Sequence, residues 1–137
     1  MQNHFQLTDL EFEAQFKSSN LDPELFTHEA HLRLAWIHIN KYGIKQACNN
    51  IENQLKSFVA HVGAKDKYHQ TITIVAIKAV NYFIKKSKSN NFKDFINENP
   101  KLMNSFKELV NSHYTFDVFT SQIARKEFIE PDLTPFN

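Results

Sequence analysis

Apolar residues recur every three or four positions along most of the chain, and the breaks between these runs fall at polar clusters, glycines and prolines. That period predicts helices. Leu10, Phe12 and Phe16 give a first helix an aromatic stripe, with Thr8 or Asp9 as its cap and Ser18-Ser19-Asn20 after it. Asp22-Pro23 is a second start signal and Thr27 a third. The preferred reading is one turn over 23–26 and a restart at His28, rather than one helix from Pro23. This helix ends near Tyr42, with Gly43 just past its C-terminus. Ala47, Ile51, Leu55, Phe58 and Val62 then mark one face of a third helix over 44–62, stopped by Gly63.

A fourth helix starts within 68–70 and fades over 87–91. Its β-branched run from Thr71 to Val75 would suit a strand, but the length of the apolar pattern and the polar line Gln70, Lys78, Asn81, Lys85 favour helix. Shorter helices are predicted over 92–97, from Pro100 to about 112, and from a Ser121 cap to about 128. Residues 130–136 carry two prolines and cannot be regular helix. They form an extended tail, packed back by Leu133 and Phe136.

Composition strengthens this reading. Two glycines and four prolines in 137 residues are too few for a turn-rich β fold. The expectation is an all-α, single-domain helical bundle over 1–137, with antiparallel core helices and an extended C-terminal tail. Sixteen basic and fifteen acidic residues nearly cancel, so no nucleic-acid partner is expected. The basic run Lys85-Lys86-Ser87-Lys88 reads as a polar helix end. Cys48 is alone, which rules out a disulfide framework within one chain and fits a reducing compartment. Residues 1–10 lack a secretory pattern, and the most apolar stretch, 72–84, is short and interrupted by Lys78 and Asn81. A cytoplasmic protein without a membrane partner is expected.

The histidines change the picture most. At about 100° per residue, His28 falls mid-face on the second helix's apolar side (Leu32, Ala35, Ile39, Tyr42), with His31 near its edge. Glu29, Arg33 and Asn40 fall on the solvent side. His69 opens the inward face of the fourth helix (Ile72, Ala76, Val80, Phe83), and Thr73 follows one turn later. Short connections favour antiparallel neighbours, so the second and fourth helices would run parallel. Their N-termini, with His61 from the end of the third helix, would then share one mouth. Burial and helix N-termini both disfavour imidazolium, so these rings should be neutral.

Three neutral imidazoles can hold a divalent transition metal and leave positions open for water or substrate. The candidates are His28, His31 and His69, with Glu24 and His61 as further donors. Tyr68, Thr73 and Arg125 are the candidates for contacting a small, anionic ligand. If there is chemistry, it is metal-assisted hydrolysis or histidine acid–base catalysis. The alternative is a non-catalytic structural or interaction module, in which the histidines form a buried hydrogen-bond network and exposed aromatics build a homodimer or partner surface. His4, His38 and His113 read as surface or partly buried residues.

Three blocks resemble a set of small bacterial helical proteins without an assigned activity. They are Phe26-Thr27-His28-x-x-His31-Leu32-x-x-Ala35-Trp36, Tyr68-His69-x-Thr71-Ile72-Thr73, and Ala124-Arg125-x-x-Phe128-x-x-Pro131-Asp132-Leu133-x-Pro135. The position after the second-block histidine is often glutamate in that set; here it is Gln70. The resemblance implies that the histidine blocks and the Pro-Asp-Leu tail belong together, with the tail closing over the mouth. A looser architectural likeness is to the DinB-like three-histidine metalloproteins.

Overall fold

A computed structural model describes residues 3–136. Among the described residues all regular structure is helical: α1 (Asp9–Lys17), α2 (His28–Tyr42), α3 (Ile44–His61), α4 (Gln70–Lys86), α5 (Phe92–Glu98), α6 (Lys101–Asn104), α7 (Phe106–Asn111) and α8 (Gln122–Lys126), with 3₁₀ turns at His4–Gln6, Pro23–Leu25 and Lys65–Lys67. By its own contacts the chain divides into two compact units, Met1–Tyr68 and His69–Asn137. No composition shift marks that boundary.

In the first unit, local chemistry sets each helix start. Thr8 caps α1 and Glu11 reaches back to the Thr8 N–H, a reciprocal capping box. Asp22 caps the Pro23–Leu25 turn, and Thr27 caps α2, so the chain does restart at His28. Gly43 alone joins α2 to α3; its φ of 86° and ψ of 165° suit glycine and few other residues. α2 and α3 therefore pair as an antiparallel hairpin, with α1 against both. Phe16, Phe26 and Phe58 form an aromatic cluster with centroids 5.0–5.3 Å apart.

Four sequence-based placements are corrected here. Arg33 is only 4% exposed and Glu29 is half-buried, because the N-terminal segment lies across that side of α2. His4 is likewise fully buried, as is His38. Helical periodicity identified one apolar face but could not show that a polar face would be covered as well. Asn40 is exposed as expected.

In the second unit, α4 is buried along most of its length from Thr71 to Val80, and α8 packs on it. Val75, Val110, Tyr114, Val118 and Ala124 form the centre of this unit, ringed by Ile72, Phe106, Phe116, Phe119, Phe128, Ile129 and Phe136. The single helix expected from Pro100 to about 112 is broken at Ser105, whose φ of −137° leaves the helical region. Asn104-Ser105 offers polar side chains that compete for backbone hydrogen bonds, which weakens a helix there. α8 also stops early, at Lys126, because Glu127 turns extended and gives its carbonyl to the Thr71 hydroxyl at 2.8 Å.

Candidate functional site

His69 occupies the cap position of α4 rather than its first turn. Its Nδ1 accepts the Ile72 N–H at 3.1 Å, and its Nε2 faces the Val118 carbonyl at 3.1 Å. A carbonyl only accepts, so Nε2 carries the proton and Nδ1 does not. The ring is thus neutral, as expected from the sequence. Burial holds its pKa below the ordinary value, and the nearby Arg125 charge adds to this; the Val118 bond works in the other direction. Both nitrogens are engaged in joining the start of α4 to the 118 segment. Binding a metal would require His69 to give up one of these two bonds.

His28 and His31 lie in the first unit. His28 is exposed, since the first turn of α2 extends past the buried stretch that begins at Ala30. His31 is half-buried, 5.8 Å from the Phe26 ring. Its Nε2 is buried and meets no hydrogen-bond partner among the described residues. Burial, with His28 adding, lowers its pKa to about 4, so this ring too is neutral at ordinary pH. Glu24 and His61 are exposed. Among the described residues no group of three or more His, Cys, Asp or Glu side chains is placed to hold a metal ion.

The three residues expected to contact a ligand have other environments. The Thr73 hydroxyl donates to the His69 carbonyl at 2.7 Å and is buried. Tyr68 closes the first unit with the Lys56 ammonium 5.5 Å from its ring centroid. Arg125 is half-buried on α8 and is the cation that acts on His69.

The second unit does contain a cavity, at a place the sequence did not indicate. A cleft of about 460 Å³ is lined by Tyr82, Phe83 and Lys86 near the end of α4, Lys101, Leu109, His113, and Thr134, Pro135 and Phe136 of the tail. The tail forms one wall because it is fastened there. The Leu133 N–H donates to the His113 carbonyl at 3.1 Å, and His113 Nδ1 donates to the Thr134 carbonyl at 2.6 Å. The Phe136 ring stacks on His113 with centroids 3.7 Å apart. Upstream, the Thr115 N–H and hydroxyl both donate to Asp132, which holds that carboxyl below its usual range. The tail therefore packs back as expected, but through Phe136; Leu133 is 58% exposed. It walls a cleft toward the C-terminal end of α4, whereas the blocks had suggested a mouth at the N-terminal end.

Among the described residues the polar groups in the cleft are all cationic or neutral. The Lys86 ammonium donates to the Tyr82 hydroxyl at 2.5 Å and lies 4.3 Å from that ring's centroid. Lys101 is exposed and pairs with no carboxylate among the described residues. With Nδ1–H held by Thr134, His113 presents Nε2 as its other polar atom. Two segments noted in the sequence for other reasons lie here: the basic run at 85–88, read as a polar helix end, and the tail that packs back through Phe136. His113 carried no local signal, because only the tertiary path of the tail brings Thr134 to it.

Compared with protein-family models, with curated proteins and with solved structures, the chain gives no match. The reading of its function therefore rests on its own residues.

Proposed function

We propose that this chain is a small-molecule-binding helical protein whose ligand occupies the cleft between the end of α4, Lys101, α7 and the C-terminal tail. The observation that carries this reading is an apolar cavity of about 460 Å³ with a few polar groups on its wall, within the size range of small-molecule sites. Its lining is mostly apolar surface with two cations at the side, which supports ligand binding as the activity. Amide NMR with fragment-sized compounds tests the reading. Binders should move the amides of Tyr82, Leu109, His113 and Phe136 and slow hydrogen exchange at Leu133. Leu109→Trp, which fills the cleft, should abolish these shifts. Binders that perturb other residues, or that ignore Leu109→Trp, would overturn the reading.

His31 favours a second reading, a histidine-lined site for a divalent transition metal. A buried ring nitrogen without a partner is rare and is a natural place for an ion or a polar ligand. Elemental analysis of protein purified without a histidine tag tests it. The reading predicts a stoichiometric metal that is lost in His31→Ala, and it fails if the wild-type protein carries none after metal loading.

A further inference from the structure

We infer that the ligand of this cleft is an amphipathic organic anion, a carboxylate on an apolar body; this rests on the cleft being the binding site. The charge inventory is one-sided. Lys86 and Lys101 line the cavity, and no Asp or Glu is among the described lining residues. Lys86 pairs with no carboxylate among the described residues; its ammonium donates to the Tyr82 hydroxyl, which holds it beside the wall. A ligand carrying negative charge would gain from both lysines, whereas a neutral one would gain from neither.

The remaining wall fixes the other half of the molecule. Phe83, Leu109, Pro135 and the His113-stacked Phe136 present apolar surface, and burying a hydrocarbon against it is favourable at about 25 cal/mol per Å². The lysines are point charges and no arginine fork is present, so the head group is not recognised as a bidentate plane. A phosphate, with three acceptor oxygens and nearly two charges, would leave oxygens unmatched on a wall this apolar. A carboxylate asks for less: one or two cations at the rim and hydrocarbon within.

Octanoate, octanamide and inorganic phosphate are the probes, titrated separately into the full chain and followed by the amides of Leu109, His113 and Phe136. Octanoate should bind at least tenfold more tightly than octanamide, and phosphate should not compete with it. Lys86→Gln with Lys101→Gln, both at exposed positions, should bring the ratio of octanoate to octanamide affinity down to about one. Equal binding of octanoate and octanamide in the wild-type chain would overturn the anion inference and leave the cleft as a neutral apolar site. Phosphate binding as tightly as octanoate would overturn the apolar half. If neither octyl compound moves these amides, both the inference and the cleft reading fall.

Discussion

The two units of this chain handle charge in opposite ways. In the first, charged side chains turn inward and are matched. Arg33 donates to Asp9 from Nε and Nη2, to the His4 carbonyl at 2.7 Å and to the Leu7 carbonyl at 2.9 Å. Its Nη1 also faces His4 Nδ1 at 3.2 Å; a guanidinium only donates, so His4 carries its proton on Nε2 and gives it to Glu29 at 2.8 Å. Glu13 is buried between Lys41 and Tyr42 in the same manner. In the second unit, Lys86 and Lys101 line a cavity and no described lining residue is an acid. A charge already matched within the fold serves the fold; a charge left unmatched beside a cavity is available to a ligand.

The largest expected effect breaks the first half of this comparison. Arg33→Met leaves the half-exposed Asp9 carboxylate to water and strips the His4 and Leu7 carbonyls of their donor, at about 1–3 kcal/mol for each buried group left unsatisfied. Lys101→Gln should change stability by less than about 0.5 kcal/mol, as surface substitutions do. Urea unfolding of both variants measures the contrast, and similar losses would erase it.

Acid should act next. The His31 pKa is lowered to about 4 in the fold, below the ordinary 6.5, so the unfolded chain takes up its proton first. The contribution is complete above pH 6.5 and is lost as pH falls to about 4, at most about 3 kcal/mol. Burial lowers His4, His38 and His69 in the same direction, so their losses add to it. Unfolding free energy measured from pH 7 to 4 should fall steadily, and less steeply in His31→Gln. A proton-detected titration of His31 near 6.5 would contradict this.

His69→Ala should cost about 2–3 kcal/mol, since it removes a cap and leaves the Val118 carbonyl without its donor. His69→Asn should recover the capping part, because asparagine is also a good cap. The smallest contrast sharpens the role of the tail. Phe136→Ala should cost about 1–2 kcal/mol and Leu133→Ala less than about 0.5, following their difference in burial. Thermal melts rank the pair.

The sequence was most informative where structure is local. Thr8, Thr27 and Gly43 mark the helix ends because caps and φ preferences act over a few residues, and the helical class follows from the apolar period. It was least informative where two distant segments meet. Arg33 looked solvent-facing because the segment from His4 to Asp9 that covers it is 24 or more residues away in the chain. His69 was identified as a core-facing residue, yet its partner Val118 is 49 residues distant. The cleft depends on the tail reaching His113, a contact across 21 residues that no periodicity encodes.

The one-residue connection at Gly43 also bears on how quickly the first unit assembles. A loop this short makes the α2–α3 contacts local in sequence, so little chain entropy is lost in closing the hairpin. The clasp of Arg33 on the N-terminal segment needs a closure several times longer. The hairpin should therefore provide the early scaffold, and the buried charges should be sealed only when the N-terminal segment arrives. At Gly43 it is the backbone angle, a φ of 86°, and not a side-chain contact, that lets α3 turn back on α2 within a single residue.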